Sequence, residues 1–318
     1  MSIETVLGPV APQALGHCQC HEHLLLAMGT SYSVNPALWF DEVDRSAREV
    51  ARYGAAGGGA VVDAQPVGCG RMAAGLAEIS RRTGVHIVAS TGFHKLCFYP
   101  QDHWIRTMDQ ERLTRLFLKE LQVGMYEDGD DGMPKKQTEH RAGIIKTALD
   151  RAPLEGRYGV LFQAAAQAAL DSGRPMMVHI EAGSQPLALV RQLLPMGLPP
   201  RQLIFCHTDR ACDKETRLAL AKTGIWLEMD TIGRFRYHDD ETERAILREL
   251  LDQGYEGQLL LSLDTTRQRL KTYTPDGVGL DYLFTTFLPS MESAGISEET
   301  IHQLTHSNPA AALNGGTL

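Results

Sequence analysis

The feature that most limits this chain is a recurring order: a helical stretch, a glycine, then a short apolar run ending in polar residues. The order recurs along nearly the whole sequence. Eight such runs can be read: 16–26 ("GHCQCHEHLLL"), 58–66, 85–93, 142–149, 174–183, 202–210, 224–233 and 258–266. The stretches between them include "YGVLFQAAAQAALDSG" and "ETERAILRELLDQG", each stopped by glycine just before the next run. Strands alternating with helices make a parallel sheet. Eight is the number at which such a sheet closes into a (β/α)8 barrel of the TIM type, with its active site at the C-terminal face of the strands. An open doubly wound sheet is the alternative, but the first run leads into His-Glu-His rather than a glycine-rich phosphate loop.

The bulk properties agree. The 318 residues suit one α/β barrel, read here as a single domain over 1–318 with an insertion between the third and fourth runs at about 95–141. Such an insertion at the barrel mouth is expected to shape the pocket through its first part, with Phe98, Tyr99 and Trp104 as lining residues. The net charge is −8 and no basic stripe is present, which argues against nucleic-acid binding. The six cysteines have no framework spacing and read as reduced thiols. The N-terminus lacks the pattern of a signal peptide, and no apolar run is long enough to span a membrane; a cytoplasmic location is the expectation.

Strand alternation divides the first run. His17, Gln19, His21 and His23 fall on one face, Cys18, Cys20 and Glu22 on the other. His21 and His23 can lean together toward one cation, while the cysteines are expected to pack against the helices. At the ends of later runs stand Lys146, His179, His207 and Asp264. A single histidine or aspartate there would be an ordinary structural or capping residue. Their succession at the mouth of one barrel points instead to metal chemistry, since imidazoles and carboxylate suit zinc-like ions. Four histidines and an aspartate exceed one catalytic site, so two ions with an anionic bridge fit better. Desolvation among apolar neighbours favours a lysine's neutral amine, which reacts with CO₂ to give a carbamate.

This set resembles the phosphotriesterase family of the amidohydrolase superfamily. The similarity is carried by "HEH", "IIKTA", "VHIEAG", "CHTDR" and "LSLDTTRQRLKTY", and runs almost end to end, from "TVLGPV" to "SNPAAAL". The resemblance implies a binuclear metal-dependent hydrolase with two divalent ions, zinc first among them. His21, His23 and Asp264 would bind the more buried ion, His179 and His207 the more exposed one, and Lys146, N6-carboxylated, would bridge both. Asp264 would also take a proton from the bridging hydroxide. Relatives are commonly dimeric, so a homodimer is expected.

The metals do not choose the substrate. The loops after the seventh and eighth runs supply Arg234, Arg236, Arg267, Lys271 and Tyr273, and Arg210 follows the sixth. Arginine recognises phosphate and carboxylate through its planar fork. These residues imply an anionic small molecule, and they resemble the pattern in relatives that hydrolyse phosphorylated sugar lactones. The first reading is therefore a lactone or carboxylate ester hydrolase; phosphotriester or amide hydrolysis with the same metals, and a non-catalytic barrel, are the alternatives. Asp63, at the end of the second run, reads as a turn residue.

Overall fold

The computed structural model describes residues 2–152 and 154–315. A short antiparallel hairpin opens the chain, β1 (Ile3–Thr5) with β2 (Gly8–Val10). Eight parallel strands follow: β3 (His17–Glu22), β4 (Gly58–Asp63), β5 (His86–Gly92), β6 (Ile144–Leu149), β7 (Met176–Ile180), β8 (Leu203–Cys206), β9 (Trp226–Met229) and β10 (Leu259–Leu261). Each pairs with the next in sequence, in the order β3 through β10, with helices in the connections. The eight apolar runs therefore become the eight strands of a nearly closed (β/α)8 barrel. The hairpin is an addition that the sequence pattern did not signal.

Alternation along the strands separates two apolar regions. Val61, Ile87, Ile145, Val178, Phe205 and Leu227 pack outward with helix residues such as Leu76, Phe117 and Leu161. Their neighbours Ala60, Val62, Val88, Ile144, Met177, Ile204 and Leu260 fill the interior. Cys18, Cys20 and Cys206 belong to this interior group, and the Cys18 and Cys20 sulfurs lie 4.0 Å apart.

That placement corrects the expected division of the first strand. Cys18 and Cys20 face the lumen, whereas His17 and Gln19 face outward. The His17 Nδ1 meets the Tyr53 hydroxyl at 3.0 Å, and the Gln19 amide donates to the Leu280 carbonyl at 3.0 Å. The cause is a β-bulge: Gln19 pairs with Val61 but Glu22 with Asp63, three steps along β3 against two along β4. The extra residue resets the alternation. His21 therefore turns inward directly after inward-facing Cys20, and His23 follows it on the same side.

The segment between β5 and β6 is mostly an ordinary connection. Its helix Gln110–Gln122 is capped by Asp109 and packs beside helix Arg157–Ser172 in the outer ring. It is fixed by a buried pair: the Arg71 guanidinium donates to both Glu120 oxygens at 2.8 and 2.5 Å, and Thr91 Oγ1 and the Tyr126 amide complete the carboxylate. No helix among the described residues is long and apolar enough to cross a membrane.

Candidate metal centre

The C-terminal ends of the strands open into a cavity of about 460 Å³. His21, His23, His179, His207 and Asp264 all line it, and Lys146 lies fully buried beneath its floor. The His21 and His23 Nε2 atoms lie 3.9 and 3.6 Å from Asp264 Oδ1. The His179 Nδ1 and His207 Nε2 atoms lie 2.7 Å apart. Lys146 Nζ is 3.1 Å from His21 Nε2 and 3.7 Å from the Met177 sulfur. No carboxylate stands within ion-pair distance of Nζ among the described residues.

The backbone departs from ordinary geometry at two of these positions. His207 and Asp264 are the residues other than glycine with positive φ among those described, at 63° and 50°. Such conformations persist where the surroundings over-determine them and gather at functional sites.

The electrostatics suit cation binding. Burial lowers His23 to about 3 and His179 to about 4, and also lowers His21 and His207, so all four imidazoles are neutral near pH 7. Burial alone would raise Asp264, but the Arg234 and Arg210 guanidiniums hold it well below the usual carboxylate range. Both arginines reach Asp264 Oδ2, at 2.8 and 3.0 Å, which leaves Oδ1 turned toward His21 and His23. His21, His23 and Asp264 form one group whose donor atoms could hold an ion; His207, Asp230 and Asp264 form another.

Asp230 carries no signal of this kind in the sequence beyond its place at the end of a strand. It is fully buried and touches residues from both halves of the site: His207 Nδ1 at 2.6 Å and His21 Nδ1 at 3.3 Å. Arg210 joins it to Asp264, donating to Asp230 Oδ1 at 3.2 Å. Burial raises Asp230, yet these partners outweigh it and the net shift is downward.

The expected substrate residues divide. Arg210, Arg234 and Arg236 line the cavity; Arg267, Lys271 and Tyr273 do not. Arg267 stacks on Trp39 and donates to its carbonyl, Lys271 faces Asp281 at 3.5 Å, and the Tyr273 hydroxyl is taken by Ser46 and the Glu42 carbonyl. The loop after β10 folds back toward helix Val43–Ala55, and that carries these three side chains away. Arg210 and Arg234 are already paired with carboxylates. Arg236 is exposed and bonds the Tyr237 hydroxyl at 2.8 Å, with no acidic partner among the described residues.

Several further residues line the cavity without a signal in the sequence. Arg269 is buried against the Gly233 and Ile232 carbonyls, and burial lowers it to about 10. Lys95 pairs with Glu181 at 2.6 Å, and His94 stands beside His179. Of the insertion aromatics, Phe98 lines the cavity; Trp104 and Tyr99 are buried elsewhere, bonded to the Gly129 carbonyl and the His94 amide. Asp63 accepts the Gln65 amide two residues on, as a turn residue would, and also the Leu24 amide just after His23.

Comparison with known proteins agrees with this geometry. A phospho-furanose lactonase of Mycoplasmopsis synoviae is 29% identical over 97% of this chain and 90% of its own length. An N-acetyltaurine hydrolase of Rattus norvegicus is 28% identical over 96% of each chain. The crystal structure of an amidohydrolase from Mycoplasma synoviae superposes with a TM-score of 0.93 at 28% identity, covering 98% of this chain and 91% of that one. The model of the phosphotriesterase family matches residues 1–313. With that match spanning nearly the whole chain, the protein belongs to the phosphotriesterase family.

Proposed function

We propose that this protein is a binuclear metal-dependent hydrolase of lactones or carboxylate esters, with a phosphorylated sugar lactone as the preferred substrate class. The observation that carries the reading is the meeting of His21, His23, Asp264, His179 and His207 on one cavity floor above Lys146. The donors fit the ions: four neutral imidazoles and one carboxylate held ionised. Lys146 fits the bridge, because a buried amine without a carboxylate partner gains most from becoming a carbamate between two cations. His21, His23 and Asp264 would hold one ion, His179 and His207 the other, zinc by the nature of the donors. When bound, such ions polarise the scissile carbonyl and make water acidic enough to react at neutral pH.

The chain's own groups do the rest. Asp264 would also receive the proton of the attacking water. Arg210 and Arg234 keep this carboxylate ionised and oriented. Arg236, exposed at the rim, would take the substrate's anionic group. The relative named as a phospho-furanose lactonase supports a phosphorylated lactone as the substrate class. Amide hydrolysis is the second reading, favoured by the relative named as an N-acetyltaurine hydrolase.

The test is a hydrolysis screen across phosphorylated and unphosphorylated sugar lactones, simple esters, N-acyl amides and a phosphotriester, beside metal analysis of wild type and Lys146→Ala. Highest kcat/KM on a phosphorylated lactone, with metal content and activity lost together in the variant, is the expected result. A preference indifferent to the phosphate refutes the anionic substrate. Full activity in Lys146→Ala refutes the bridge.

A further inference from the structure

The barrel is not closed by an ordinary strand ladder. The paired order ends at β3 on one side and β10 on the other, and β10 has only three residues. Across the seam a main-chain bond runs from the Asp264 amide to the His21 carbonyl, at 3.0 Å. Side chains make the other connections. The His21 amide donates to Ser262 Oγ at 2.9 Å, and the His23 amide to Thr265 Oγ1 at 3.3 Å. Glu22 contributes most: its Oε1 accepts the Leu263 amide at 2.7 Å and its Oε2 the Thr265 amide at 2.9 Å.

Those two amides flank Asp264, whose φ of 50° is unfavourable for a residue with a Cβ. Glu22 is fully buried, and its own carbonyl accepts the Ala64 amide at 2.8 Å, so one residue ties β10, β3 and β4 together. It lies between the two histidines of the HEH motif yet points to the seam.

We infer that Glu22 is a positioning residue: its carboxylate replaces the missing ladder between β3 and β10 and fixes Asp264 opposite His21 and His23. The residue type is required by the geometry. A carboxylate has two acceptor oxygens for two amide donors, whereas a glutamine would aim an N–H at one of them. An aspartate is one methylene too short to span both. The inference rests on the proposed metal centre, since its consequence is graded: the ion position built across the seam depends on Glu22 directly, and the His179–His207 position, built on β7 and the end of β8, only through the groups the two positions share, Lys146 and Asp230.

Cadmium-113 bound to the purified protein is the probe. Wild type is expected to show two resonances. Glu22→Gln should shift or broaden one of them and weaken that position about 10- to 100-fold, the usual range for losing a group that orients a metal ligand. The other position should weaken at least about 5-fold less than the first, and Glu22→Asp should fall between wild type and Glu22→Gln. Equal loss at both positions would indicate a general structural role and overturn the proposal, as would two unchanged resonances. A wild type that binds no cadmium removes the metal reading and this proposal with it. Should Glu22→Gln fail to fold, amide hydrogen exchange in wild type decides. Stripping the metal should accelerate exchange at Leu263 and Thr265 more than along the β6–β7 ladder, and equal acceleration overturns the proposal.

Discussion

Gly92→Ala offers a measurement of how tightly the lysine at the centre of the site is held. Gly92 pairs with Lys146 across β5 and β6, and its φ is +101°. A Cβ there would lie 2.0 Å from the Lys146 carbonyl oxygen and about 3 Å from its carbon and nitrogen. These are backbone atoms, so no rotamer change relieves the clash. The left-handed conformation costs alanine about 1–2 kcal/mol. Pushing the strands apart also weakens the Phe93 amide bond to the same carbonyl, now 2.8 Å, at about 1 kcal/mol. With the remaining steric strain, a loss of roughly 3–5 kcal/mol is expected, or about 4–8 °C in Tm for a chain of this size. Gly84→Ala is the control. Gly84 has φ +73° at the end of helix Ala73–Thr83, but its Cβ would meet nothing within 4 Å. It should cost about 1 kcal/mol, nearly all of it conformational. Thermal unfolding and bound-metal analysis of both variants give the answer. Gly92→Ala should also lose metal, because displacing the Lys146 backbone displaces Nζ. If its Tm lies within about 2 °C of that of Gly84→Ala and its metal content is full, the reasoning about β5 and β6 is wrong.

Three further outcomes can be checked. Burial lowers His17 to about 3, so the unfolded chain takes up that proton first, near pH 6.5. The associated stability is complete above pH 6.5 and drains as pH falls toward 3, about 2 kcal/mol being lost by pH 5. Urea unfolding of metal-stripped protein should show that share of the pH 7-to-5 difference disappearing in His17→Phe; an unchanged difference contradicts it. Glu120→Gln breaks the buried pair with Arg71 and should cost about 3–5 kcal/mol while leaving metal stoichiometry intact, as read by calorimetry and elemental analysis. Arg236→Ala should raise KM for a phosphorylated lactone about 10-fold, the effect of one charge-assisted bond, with kcat within about threefold and unphosphorylated lactones unaffected. Equal losses on both substrates would show that Arg236 does not read the anion.

The architecture was legible because it follows from period and punctuation. Each apolar run became a strand, and the polar residues ending those runs meet at one mouth because a parallel barrel brings all its C-terminal ends together. What failed to read out depends on direction. The eighth run extends to Thr266, yet its ladder stops at Leu261, since beyond it Ser262, Leu263 and Thr265 bond across the seam through side-chain groups, with only the Asp264 amide bonding main chain to main chain. Arg267, Lys271 and Tyr273 follow Asp264 within a few residues, and sequence distance alone says nothing about which way the loop turns. The bulge in β3 has no marker either: "HCQCHEH" contains neither glycine nor proline, and strict alternation misassigned Cys18, Cys20, His17 and Gln19.

These irregularities share one place and one cause. A regular β3 would put His21 on the same side as His17 and Gln19, facing the helices once Cys18 and Cys20 fill the lumen. The bulge lets the lower strand pack its thiols inward and the upper strand still turn both histidines inward. A bulge, however, disrupts the ladder on its strand, and β3 is the strand that must meet β10 to close the barrel. Closure then falls to side chains, and those available are Glu22, Ser262 and Thr265, which alternate with His21, His23 and Asp264. The groups that orient the site and the groups that close the fold are thus neighbours in the chain. A substitution at the seam cannot relax one without disturbing the other, whereas the His179–His207 side, supported by the β7–β8 ladder, feels the seam only through shared contacts such as Asp230.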